Sequence, residues 1–256
     1  MPKKKNNEEE ISVNHLFELA KEQVIGVDRQ RLGIGTLAEK SVHAILKLYY
    51  APDIEMQEIP IDGYVADIFT GTEIIEIQTR QFNKMRDKLK SFLQLYPVTI
   101  VYPIPRYKWL IWIDEETGEL SKPHKSPSKG NVYQAFEELY KIKMFLQSPN
   151  LHFKFVFLDM QEYRLLNGWS QDKKRGSHRY DRIPSQLVSE VNINEPKDYM
   201  QFIPPDLEQF TSQEFAKAAH INIKLARTVL NILAHMECVE KQGKEGNSII
   251  YSVKEW

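Results

Sequence analysis

Tyr64-Val65-Ala66-Asp67-Ile68-Phe69, then Thr70-Gly71-Thr72, then Glu73-Ile74-Ile75-Glu76-Ile77-Gln78: this stretch, residues 64–78, decides the fold class. Two short runs rich in β-branched and aromatic residues, joined by a tight-turn signal, predict a β-hairpin. A carboxylate interrupts each run. Asp67 and Glu76 sit among apolar neighbours, where a charge is costly to bury unless it is paired or metal-bound. Residues two apart on a strand share a face, so Glu76 and Gln78 project together, and a hairpin brings Asp67 beside Glu76.

The elements around this hairpin follow from periodicity. Upstream, Gly33-Ile34-Gly35-Thr36 opens a predicted helix. Thr36 is the N-cap, Glu39 stands at the capping-box offset, and Leu37, Ala38, Val42, Ile45, Leu46 and Tyr49 form the stripe. Pro52 ends it. A weaker stripe from Ile11 to about Gln23 predicts a short helix, and Ile59 and Ile61, alternating with Glu58 and Asp62, predict a strand. Downstream, Asn83 to Leu95 is a predicted helix with Met85, Leu89, Phe92 and Leu93 on one side. Val98 to Tyr102 and Trp109 to Ile113 are continuous apolar runs, the mark of strands buried on both faces. Helix, three strands, helix, strand is an α/β core rather than a bundle or a sandwich. Residues 114–130 are a polar loop, Asn131 to Gln147 an amphipathic helix, and Leu151 to Leu158 a further strand.

Composition narrows the class. The 256 residues carry 34 basic and 35 acidic side chains, a formal net charge of -1, with 42% hydrophobic and 27% charged residues. That is ordinary globular usage. No apolar run is long enough for a spanning helix, so no membrane partner is expected. MPKKKNNEEE lacks an apolar segment after its lysines and does not resemble a secretory signal. One cysteine, Cys238, excludes an intramolecular disulfide and a cysteine zinc cluster; a small buried hydrophobe is its expected role. A reducing cytoplasm is the expected compartment. No two histidines have metal-ligand spacing. With near-zero net charge, any phosphate-binding surface must come from local clustering.

One such cluster is GWSQDKKRGSHRYDRIP, residues 168–184. Lys173, Lys174, Arg175, His178, Arg179 and Arg182, with Trp169 and Tyr180 nearby, suit phosphate contacts and base stacking. The bland alternative is a solvated loop in which Asp172 and Asp181 pair with the cations. Past the proline-punctuated residues 191–204, expected to be a linker, the pattern changes. Thr211 caps a helix to Ala219, His220-Ile221-Asn222 turns, and Ile223 to Met236 is a longer helix. Cys238 to Lys241 and Ile249 to Val253 are short strands. Helix, turn, helix, hairpin is the pattern of a winged helix-turn-helix. Lys224, Arg227 and Asn231 would lie on its recognition helix and Lys244 on its wing. Such modules also serve protein association, a homodimer included. The expected organisation is a disordered tail over 1–10, a core domain over 11–190, the linker, and a winged helix domain over 205–256.

Glu39 in a helix, Ala66-Asp67 on a strand and Glu76-Ile77-Gln78 on the next resemble the PD-(D/E)XK, or restriction-endonuclease-like, nuclease superfamily, and the element order over residues 34–103 is similar too. The resemblance implies a mixed sheet flanked by helices, and a DNA endonuclease of restriction or repair type. It further implies Asp67 and Glu76 as ligands of Mg²⁺ or Mn²⁺, assistance from Glu39, and Gln78 at the place of the family's lysine. RNA is a second possible substrate. Ala66 stands where the family commonly has proline. Gln78 cannot supply the lysine's charge, and Arg80, Lys84 or Lys88 could provide it instead. The competing expectation is a non-catalytic DNA-binding or regulatory protein on the same scaffold.

Overall fold

The computed structural model describes residues 14–25, 41–166 and 178–254. Helix α1 covers residues 14–25 and α2 is Ser41–Tyr50. A hairpin follows, built from β1 (Gln57–Ile61), β2 (Tyr64–Phe69) and β3 (Ile74–Ile77), then α3 (Arg86–Leu95) and the long β4 (Val98–Ile113). After β5 (His124–Lys125) come α4 (Ala135–Lys141), β6 (Leu151–Leu165) and β7 (His178–Ile193). The chain ends with β8 (Gln209–Thr211), α5 (Ser212–Ala218), α6 (Ile223–His235), β9 (Val239–Glu245) and β10 (Ser248–Val253).

These strands form two sheets. The larger is a seven-stranded mixed sheet in the order β1-β2-β3-β4-β6-β7, with β5 added to β4, and helices flank it. The α/β class expected from the sequence is therefore present. β2 and β3 are antiparallel, with Ile68 opposite Ile75 and Phe69 opposite Ile74. The turn between them closes by Thr70 N–H to the Glu73 carbonyl at 3.0 Å, and Gly71 takes φ +92°, the left-handed region that favours glycine. β3 runs parallel to β4, from Ile74 opposite Val98 to Ile77 opposite Val101. The smaller sheet has the order β8-β10-β9.

Several elements differ from the sequence expectation. The two apolar runs of β4 are one strand, because Pro103 and Pro105 lie beyond Val101, where β3 has already ended and no ladder bond is lost on that side. Gly130 returns the 114–130 loop to this point. Its N–H donates to the Pro105 carbonyl at 3.0 Å, and a Cβ there would lie 2.1 Å from that oxygen. β6 extends seven residues past the expected end at Leu158. The described part of the basic segment is not a loop but the start of β7. The residues 191–204 are not a linker either. They contain the end of β7 and a 3-10 helix, Pro196–Phe202, whose Tyr199 and Phe202 are buried. The helix expected over 131–147 is a short α4 between 3-10 turns. The expected 1–10 tail and Thr36 cap lie outside the described residues.

The chain divides into two compact units: the described residues of Met1–Glu58, Pro103–Gly130 and Val156–Glu190 in the first, and of Ile59–Tyr102, Asn131–Phe155 and Val191–Trp256 in the second. These boundaries differ from the division at residue 205. In the second unit an aromatic cluster explains why. Phe202 packs against Phe136 at 5.2 Å and Phe155 at 6.1 Å between ring centroids, and Tyr133 packs against Phe215 at 6.0 Å. Burying side chains of this size contributes about 1.5–3 kcal/mol each. The first unit has its own core contacts, such as Phe17 on Tyr49 at 5.7 Å. Among the described residues no helix is long and apolar enough to cross a membrane.

Candidate functional site

Asp67 and Glu76 meet where the β2–β3 ladder stops. The paired register of the two strands ends at Ile68 opposite Ile75. The Asp67 N–H donates to Glu76 Oε1 at 3.2 Å, and the Ile77 N–H donates to Asp67 Oδ2 at 2.8 Å. Each carboxylate thus satisfies the backbone of the strand that carries the other. The alternation that buries Ala66 and Ile68 on one face leaves Asp67 half-buried. Glu76 is 1% exposed, between Ile74 and Ile77.

A cation joins this pair. Lys88, in the first turn of α3, donates to Glu76 Oε2 at 2.6 Å, with its ammonium 5.4 Å from the Phe92 ring centre. Burial pushes the Glu76 carboxyl up, and the nearby Asp67 charge adds to this. Lys88 and the Asp67 N–H pull it back only in part, leaving it at about 7. Glu76 thus titrates near neutrality, in the range where a carboxyl can both hold and release a proton.

The remaining expected residues fall into four groups. Gln78 lies one residue past β3, half-buried, with its N–H on the Val101 carbonyl at 2.9 Å. Glu39, Lys173, Lys174 and Arg175 lie outside the described residues. His178, Arg179 and Arg182 are on β7, in the first unit. Both arginines approach one buried carboxylate, Glu162 on β6: Arg182 at 3.2 Å and Arg179 at 3.6 Å. Lys108 on β4 approaches the same oxygen at 3.8 Å, and Arg164 Nε donates to the other oxygen at 2.7 Å. Burial alone raises the Glu162 carboxyl, but Lys108, Arg164, Arg179 and Arg182 outweigh it and hold it below the usual range. Glu162 and Arg164 were not singled out by the sequence, because the strand pattern of β6 fades after Leu158, and Lys108 was not, because it lies between the two apolar runs of β4.

Lys224, Arg227 and Asn231 lie along α6, and Lys244 is on β9 opposite Ile249. Asn231 is engaged within its own unit: its Oδ1 accepts from Lys143 Nζ at 2.8 Å. Arg227 and Asn231 line a cleft of about 580 Å³ with Lys143, Lys241 and Tyr251. Cys238 is buried, and burial pushes its thiol up to about 12, so it is an inert packing residue. Among the described residues no three His, Cys, Asp or Glu side chains converge.

Comparison with known proteins adds family membership but no activity. The family described as domain of unknown function (DUF8091) matches residues 40–194. That span includes Asp67, Glu76, Lys88 and Glu162, and ends before β8. A protein of Treponema pallidum (strain Nichols) described as uncharacterized is 28% identical over 166 residues, 63% of this chain and 63% of that protein. The chain therefore spans less than two thirds of that relative's length. No solved structure matches.

Proposed function

The chain belongs to the DUF8091 domain family, and we propose that it is a metal-dependent nuclease of the restriction-endonuclease-like kind, hydrolysing phosphodiester bonds in DNA. The observation that carries this reading is the reciprocal clasp of Asp67 and Glu76, with Lys88 on the second oxygen of Glu76. Two carboxylates on neighbouring strands are hard oxygen donors, and their chemistry fits Mg²⁺ or Mn²⁺. Asp67 and Glu76 would hold such an ion, which would lower the pKa of a bound water and offset charge on a phosphoryl oxygen. Lys88 brings the positive charge that Gln78 cannot, from the helix after the hairpin instead of from the strand. Gln78 orients a water or contacts the phosphate by hydrogen bonding. The order β8-β10-β9 around α5 and α6 supports a winged helix, with Lys224, Arg227, Asn231 and Lys244 toward nucleic acid. RNA is the alternative substrate.

The test is cleavage of DNA and RNA with Mg²⁺ or Mn²⁺. Asp67→Asn and Glu76→Gln should each abolish cleavage while circular dichroism stays native. Wild-type rates in either variant would sink the site assignment. One observation favours a second reading, a non-catalytic nucleic-acid-binding scaffold: both Glu76 oxygens already accept from protein donors. A wild-type protein that binds DNA but cuts neither nucleic acid with either ion would support that reading.

A further inference from the structure

We propose that Lys108, Arg164, Arg179 and Arg182, gathered on the buried Glu162 carboxylate, form a binding site for a phosphate oxyanion. The side chains come from β4, β6 and β7, all in the first unit, so rigid strands fix their bases. Glu162 is 0% exposed, while the four cations keep between 19% and 38% of their side-chain surface open. The carboxylate is therefore a pin beneath a positive surface.

Among the described residues, these four cations gather on a single carboxylate. Glu162 does not quench the cations by hydrogen bonding throughout: its Oε2 is fully buried and accepts no hydrogen bond, although Lys108, Arg179 and Arg182 stand around it. Among the groups acting on Lys108, one carboxylate opposes three guanidiniums. Burial first, and those guanidiniums next, hold its ammonium below the ordinary lysine value. An arriving anion relieves this repulsion. Guanidinium forks match tetrahedral oxyanions and retain their charge at any working pH. Arg164 also lies 6.0 Å from the Trp112 ring centre, beside an aromatic surface on which a base can stack. The phosphate can be inorganic or part of a nucleic-acid strand, and the two sources are separable by experiment.

The experiment uses the full chain with chelator present, so that no cleavage intervenes. Inorganic phosphate is titrated calorimetrically. A short single-stranded oligonucleotide, with either a 5′-hydroxyl or a 5′-phosphate, is followed by fluorescence anisotropy. The K108M/R179M double variant should weaken binding roughly tenfold or more. It should also lower the salt slope on the oligonucleotide by about 0.7, the contribution of one strand phosphate no longer neutralised on single strands. Circular dichroism checks that the double variant stays folded, because Glu162 loses two of its charge partners; R179M alone serves if it does not. Weakening for phosphate and oligonucleotides together assigns the site to a strand's phosphate, and weakening for phosphate alone assigns it to the free anion. Unchanged binding of every probe, or a wild-type protein that binds none, overturns the proposal. The readout is binding without metal, so failure of the nuclease reading leaves this result intact.

Discussion

At the scale of single residues, Glu76 is the unusual one. A carboxyl raised from the ordinary glutamate value of 4.5 to about 7 is favoured in its neutral form by the fold. Its contribution to stability is fully present below pH 4.5 and is lost as pH rises through about 7, at which point the folded state must hold a buried charge. The difference is on the order of 3 kcal/mol. In chelator, the melting temperature of wild type should therefore fall between about pH 5 and pH 8 relative to Glu76→Gln, which lacks the titrating proton. Parallel curves for the two would remove Glu76 from this role. Lys88 gives a second residue-scale test. Lys88→Met should slow cleavage about 10²-fold, the scale for losing one charge-stabilising donor, and Gln78→Lys added to it should restore part of the rate. Asp67 and Glu76 were legible in sequence because each breaks an apolar run. Lys88 was not singled out from Arg80 and Lys84, because only the position where α3 begins, at Arg86, decides which cation reaches the hairpin.

At the scale of elements, the best-marked helices carry local signals that the structure reproduces. Thr211 accepts from Glu214 N–H while Glu214 accepts from Thr211 N–H at 2.7 Å, and Asn222 Oδ1 accepts from Leu225 N–H at 2.9 Å. Thr211→Ala or Asn222→Ala should each cost about 1 kcal/mol and lower the melting temperature by about 2–4 °C; no change in calorimetry would mean that tertiary packing alone holds α5 and α6. β7 shows where such reading stops. His178–Ile193 is polar, charged and contains Pro184, so its pattern resembles a loop. It closes one end of the sheet order, where an edge strand tolerates proline and polar residues because one side needs no partner. The two arginines read there as phosphate contacts do lie on a regular element, but the buried Glu162 that positions them is on another strand, and sequence alone gives no such pairing. The 3-10 helix Pro196–Phe202 was hidden for a different reason: Pro196, with Pro204 and Pro205 just after the helix, suggests a linker, while its buried Tyr199 and Phe202 make it core.

At the scale of the whole molecule, the chain is not a string of modules. The second unit is assembled from three separate segments, so the C-terminal helices and hairpin share a core with residues from the middle of the chain. Tyr133 links the two: its ring faces Phe215 at 6.0 Å and its hydroxyl donates to the Phe202 carbonyl at 3.0 Å. His235 and the 3-10 turn after α4 are joined at 3.1 Å through the Lys143 carbonyl, and Gln147 donates to the His235 carbonyl at 3.0 Å. Cutting at residue 205 severs the Tyr133–Phe215 contact and both His235 bonds, and leaves Phe202 and Phe215 on different pieces. Residues 205–256 expressed alone should therefore melt without cooperativity, and the chain truncated at 204 should bind a hydrophobic dye that the intact protein does not. The reasoning is about area: each buried ring removed from the shared cluster costs about 1.5–3 kcal/mol against a domain stability of about 5–15 kcal/mol. Losing several exceeds what a short fragment recovers from α5, α6 and the three-stranded sheet. A cooperative transition in the isolated 205–256 fragment, with native chemical-shift dispersion, would show instead that β8 to β10 fold independently, and that Tyr133 and Phe202 only dock onto a finished module.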